Sequence, residues 1–169
     1  GKQHPIPADV PILDINHPVT SESAIVLATL PEDISSLRSY FQEKEFEAIY
    51  FKNEIAKPYY LEGYGSRDQF AKLYKTIYQF DEFDVRYKLK DLAGYLKIKD
   101  SLLVKMIQIF QELEFVTITD GVMRVNKEAQ KREISESQIY QELKQTVMQQ
   151  ELMVLGTVQE IYEWLCGQN

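Results

Sequence analysis

At 169 residues the chain can form one ordinary domain or two small subdomains, and 44% hydrophobic with 27% charged residues is a globular composition, not a disordered one. One cysteine, Cys166, excludes an internal disulfide, and two histidines cannot join it in a familiar Cys/His metal site. No apolar run approaches the ~20 residues that cross a bilayer, and the formal net charge of −7 argues against a domain built to wrap a polyanion, so the expected setting is the reducing cytoplasm, away from membranes.

Residues 1–9 carry Gly1, His4, Pro5 and Pro7 before any apolar pattern and read as a linker or cloning remnant. Val10–Ile15 and Ala24–Thr29 are rich in β-branched residues and read as strands. Pro31, Glu32 and Asp33 suit a helix first turn, with Leu37, Tyr40 and Phe41 following at helical spacing. Ala48–Phe51 is a further strand, and strand–helix–strand in this order favours parallel pairing. Tyr59–Glu62 adds an edge strand.

Ser66-Arg67-Asp68-Gln69 is a capping box, and Phe70, Leu73, Tyr74, Ile77 and Tyr78 then mark the buried face of a helix running to about Phe80. A helix over Lys88–Leu96, a turn at Lys97–Asp100 and a helix over Ser101–Glu114 follow. Val116–Thr119 and Val122–Val125 flank Asp120-Gly121, a strong hairpin signal. Helix, turn, helix, hairpin is the order of a winged helix, which serves both DNA and protein contacts. Ser135–Gln150 reads as another helix, and Val158, Ile161, Tyr162 and Leu165 stripe a last one after Gly156. The expected class is α+β (mixed): a small strand–helix–strand subdomain over 10–65, then a mostly helical, winged-helix-like subdomain over 66–169.

No Gly-rich phosphate loop, serine elbow or metal-binding carboxylate motif occurs, so no catalytic residue, metal ligand or cofactor is assigned to this chain. Asp81, Glu82 and Asp84 lack calcium-loop spacing and read as a solvated loop or helix cap. His4 and His17 read as surface residues. Charge is uneven: residues 66–109 hold nine cations against six anions, while each flank has a net −5. Within that stretch Arg86, Lys88, Lys90, Lys97, Lys99 and Lys105 face only Asp91 and Asp100, a patch able to meet phosphates, the acidic tail of a protein partner, or nothing but water. The second helix of the pair is covered by Leu102, Leu103, Met106, Ile107, Ile109, Phe110 and Leu113, leaving Lys105, Gln108 and Glu112 on its polar side, too few donors to read base edges. Tyr59, Tyr60, Tyr64, Tyr74 and Tyr78 fit packing better than base stacking, with Tyr64, among glycines, the one expected to be exposed.

Ser66–Phe70, Asp91-Leu92-Ala93, Met106–Val116 and Glu136-Ser137 through Tyr140 resemble the C-terminal domain of RecJ-type single-strand-specific exonucleases of Gram-positive bacteria, over about residues 59–140. Residues 1–58 resemble it more loosely, through the order of strands and helix. The resemblance implies a parent enzyme of DNA repair and recombination that degrades single-stranded DNA from its 5′ end. Its divalent metals, manganese or magnesium, would sit in an N-terminal core whose Asp-His-His motif is absent here. It implies for this chain an accessory role: docking on the catalytic core of the same polypeptide, contacting single-stranded DNA, or recruiting the single-strand DNA-binding protein by its acidic, apolar-ended tail.

Overall fold

The computed structural model describes residues 25–31, 33–43 and 49–167. The expected strand Val10–Ile15, both histidines and the opening linker lie outside them. Among the described residues helices dominate, and the strands form one parallel pair and one three-stranded antiparallel sheet, an α+β fold. The chain divides into two compact units, Tyr59–Val147 forming one of them.

In the first unit, β1 (Ile25–Leu30) and β2 (Ile49–Ile55) pair in parallel, with Ile25 opposite Ile49 and Leu30 opposite Ile55. The helix between them, α1 (Ser35–Gln42), is closed at its start by Asp33, whose carboxylate accepts from the Ser35 N–H at 3.0 Å. The acidic residue therefore precedes the helix instead of lying in its first turn. Leu37 and Phe41, one turn apart, face a core with Leu30, Ile34, Met153, Ile161 and Leu165.

Those last three side chains revise the expected division of the chain. The end of α5 (Gln138–Leu155) and all of α6 (Val158–Cys166) belong with β1, α1 and β2, not with the helical segment that precedes them in sequence. The physical reason is the α6 stripe: Ile161 and Leu165 are buried against α1, and the Gly167 carbonyl beyond α6 accepts from Gln42 Nε2 at 3.1 Å. Thr157 and Glu160 cap the other end of α6 reciprocally.

In the second unit the Ser66/Gln69 capping box forms as read, starting α2 (Arg67–Ile77). The expected edge strand at Tyr59–Glu62 is instead a single 3-10 turn, Tyr59–Leu61: Gly63 and Gly65 both take positive φ and fold the chain back, so both tyrosines pack on the core. The short β3 (Phe83–Asp84) leads into α3 (Val85–Leu96) and α4 (Asp100–Glu112), followed by β4 (Val116–Thr119) and β5 (Val122–Val125). β5 is central, pairing antiparallel with β4 and with β3. The core joins Phe70, Leu73 and Ile77 of α2 to Leu92 and Leu96 of α3, the apolar side of α4, Val116 and Met123, and Leu143 and Val147 of α5.

The hairpin turn matches its sequence signal: Thr119 opposes Val122, and Asp120 (φ 51°) and Gly121 (φ 77°) both occupy left-handed space, as a two-residue turn of this hand requires. The Gly121 carbonyl accepts from the Val85 N–H at 2.9 Å, tying the hairpin tip to the start of α3. A Cβ on Gly121 would lie 2.5 Å from Arg86 Cδ. Gly121→Ala is therefore expected to cost about 1–2 kcal/mol in urea unfolding, the left-handed penalty of an L-residue plus displacement of Arg86. Unchanged stability would contradict this account of the turn.

Candidate interaction surface

The acidic cluster ahead of α3 is used up internally. Asp84 caps α3 by accepting from the Arg86 N–H and grips the Arg86 guanidinium through both oxygens, at 3.0 and 2.6 Å. The Arg86 hydrogen bond holds the Asp84 carboxyl below its ordinary range. Glu82 pairs with Arg124 at 2.5 Å and Asp81 with Lys127 at 3.4 Å. Among the described residues no group of three His, Cys, Asp or Glu side chains could hold a metal ion.

The six cations singled out in the sequence fall into different environments. Arg86 is committed to Asp84, and Lys105 is half-buried on α4, beside Gln108, Glu112 and Glu142 along an open groove of about 420 Å³. Lys88, Lys90, Lys97 and Lys99 are exposed, and none has an ion-pair partner among the described residues. Lys97 ends α3 in a left-handed conformation (φ 57°), and Lys99 stands immediately before α4, so these two project from the turn between the helices. Lys88 and Lys90 do not share a strip: at ~100° per residue they lie about 160° apart around α3.

What lies between them is aromatic. Val85, Leu89, Leu92, Ala93 and Leu96 take the inner side of α3, while Tyr87, Asp91 and Tyr95, each one turn from the next, run along the outer side. Tyr87 is 78% and Tyr95 64% exposed. A cation stands over each ring: Arg86 at 5.5 Å from Tyr87, and Lys72 of α2 at 5.3 Å from Tyr95. The sequence reading missed both tyrosines because it weighed aromatics outside this helix; their i, i+8 spacing opposite the leucine stripe was the available signal.

Tyr64 is corrected. It is half-buried, its ring edge-on to Tyr140 at 5.9 Å with Lys144 over it at 5.8 Å, so it is a packing residue rather than the exposed one. Burial and the neighbouring Tyr64 raise the Tyr140 phenol above its ordinary pKa. Tyr140 also lines a second groove, of about 390 Å³, with Arg67, Phe70, Tyr74, Arg132 and Ile134. The outer side of α4 offers Val104, Gln108 and Gln111 and no exposed Arg or Lys, which leaves two glutamines as its donors for base edges.

No helix among the described residues is long and apolar enough to cross a membrane. No solved structure matches the chain. In sequence it is 29% identical over 141 residues to the single-stranded-DNA-specific exonuclease RecJ of Bacillus subtilis (strain 168), an alignment covering 83% of this chain but 18% of that protein. The family model described as the C-terminal domain of single-strand DNA-specific exonuclease matches residues 10–165, both units together, and to that family this chain belongs.

Proposed function

We propose that this chain is a non-catalytic accessory domain of a cytoplasmic single-stranded DNA exonuclease of repair and recombination, whose metal-dependent chemistry (manganese or magnesium) belongs to a catalytic core elsewhere in the same polypeptide. Its task is to hold a polyanionic partner for that core through the outer side of α3 and the turn into α4. The observation that carries this reading is a close run of cations: Lys88, Lys90, Lys97 and Lys99 are exposed and lack an ion pair among the described residues, as do Arg67, Lys72 and Lys75 of the neighbouring α2, whereas Arg86, Arg124, Lys127 and Arg132 are paired with carboxylates. Unpaired surface cations concentrated within twelve residues of an acidic chain are what a polyanion would neutralise.

Two partners have the required charge. One is the acidic tail of the single-strand DNA-binding protein; the other is single-stranded DNA itself, which the exposed Tyr87 and Tyr95 favour. The reading is tested with the 169-residue chain and two fluorescent probes, an acidic tail peptide and a short oligothymidine, by anisotropy at low salt. Lys88→Glu, Lys90→Glu, Lys97→Glu and Lys99→Glu combined are expected to weaken the bound probe at least about tenfold, and added salt to weaken the native chain's binding steeply. If neither probe binds, or charge reversal changes nothing, the reading is lost.

A further inference from the structure

We infer that the outer side of α3 is a stacking platform for single-stranded nucleic acid, with Tyr87 and Tyr95 each receiving an unpaired base. The inference rests on α3 as the polyanion-contacting surface and names its occupant. Three observations lead to it. First, the two most exposed tyrosines of the second unit share one side of one helix, two turns and about 12 Å apart along its axis. Tyrosines so exposed bury little of their rings, and each offers a flat π-face.

Second, each ring has a cation over it, Arg86 for Tyr87 and Lys72 for Tyr95. Each cation covers one face of its ring and leaves the exposed opposite face to a base; Lys72 brings positive charge beside Tyr95, whereas the charge of Arg86 is taken up by Asp84. Third, the charges frame the rings. Lys88 lies along one margin of the aromatic stripe and Lys90 along the other, while Asp91 is central, between the two tyrosines. A phosphodiester is repelled from the middle and attracted to the margins. The bases then face the helix, where Asp91 can accept from a base N–H and the rings can stack.

An acidic peptide is the other class of partner, and it fits this surface less well. Between the tyrosines lie Asp91 and Gly94, which offer no apolar side chain, and the two described grooves of this unit are lined by other residues. The stripe offers faces, not a cleft.

Oligothymidine anisotropy on the 169-residue chain tests this. Tyr87→Ala and Tyr95→Ala are each expected to weaken binding about 5- to 150-fold, the effect of losing one base stack. Tyr87→Phe and Tyr95→Phe, which keep the ring, should bind within about twofold of the native chain. A duplex of the same length, whose bases are already stacked, should bind more weakly. Both rings are solvent-exposed, so folding survives the substitutions, and far-ultraviolet circular dichroism checks it. If lysine reversal abolishes binding but both alanine variants bind normally, the polyanion reading stands and the stacking inference is overturned. It is equally overturned if the duplex binds as tightly as the single strand, or if the acidic peptide binds and the oligonucleotide does not.

Discussion

Replacing Phe110 with alanine is expected to remove about 3–5 kcal/mol from the stability of the second unit. Phe110 is 2% exposed near the end of α4 and holds three other rings: Phe70 of α2 at 5.7 Å, Tyr74 of α2 at 5.9 Å and perpendicular, and Phe115 at 5.7 Å. Its backbone carbonyl also accepts from the Phe115 N–H at 2.8 Å, so the side chain sits where α4 turns into the hairpin. Aromatic pairs at these angles add to simple area burial, and rings anchored on α2 and on the segment after α4 cannot all relax into the vacated space. The loss is large against the ~5–15 kcal/mol of a typical domain. It is measured by urea unfolding followed by far-ultraviolet circular dichroism. The single tryptophan, Trp164, lies on α6 in the other unit, so its fluorescence reads that unit separately. Phe110→Leu, nearer in volume, should cost less than the alanine change. A loss below about 1 kcal/mol for the alanine variant would mean that the aromatic cluster does not organise this core.

The same chain shows which features a sequence makes legible. The Asp120-Gly121 hairpin and the Ser66/Gln69 capping box are local: their turn angles and hydrogen bonds depend on residues within four positions, and both form as read. The α6 stripe is different. Period alone says that Ile161 and Leu165 are buried, but only the folded chain says that they are buried against α1, more than a hundred residues earlier. Tyr59–Glu62 opens with two strand-favouring tyrosines, yet the glycines after it, at positive φ, end the extension. The cationic stretch is the most instructive. Summing charge over residues 86–105 treats six side chains as one patch, whereas the helix places Lys88 and Lys90 on opposite margins, Asp84 claims Arg86, and α4 half-buries Lys105. Helical phase and local ion pairing, applied residue by residue, separate what a running sum merges.

Glu112→Ala is expected to cost about 1–3 kcal/mol, because this one carboxylate closes the start of the 18-residue α5. Glu112 sits at the end of α4. It accepts from the Ser137 hydroxyl, from the Gln138 N–H at 3.0 Å and from the Ile139 N–H at 3.2 Å. Ser137 is fully buried, and its hydroxyl in turn accepts from the Tyr140 N–H at 3.0 Å, completing the cap. An anion at a helix start meets the positive end of the helix dipole as well as the unpaired donors, although partial exposure of Glu112 to water screens part of that gain. Removing the carboxylate leaves a buried hydroxyl and two N–H groups without their acceptor. Glu112→Gln, which keeps one acceptor oxygen but loses the charge, should cost less than alanine.

The pH dependence has a definite sign. The Ser137 hydrogen bond, followed by those from Ile139 and Gln138, holds the Glu112 carboxyl below its ordinary value of 4.5. The folded chain therefore binds fewer protons at this site than the unfolded chain. The contribution of Glu112 is fully present above about pH 5 and is lost as pH falls through the depressed folded value. Stability of the native chain should decline more steeply than that of Glu112→Gln on acidification from about pH 5 to pH 3. Parallel slopes for the two, with equal unfolding free energies at neutral pH, would show that Glu112 does not join α4 to the start of α5.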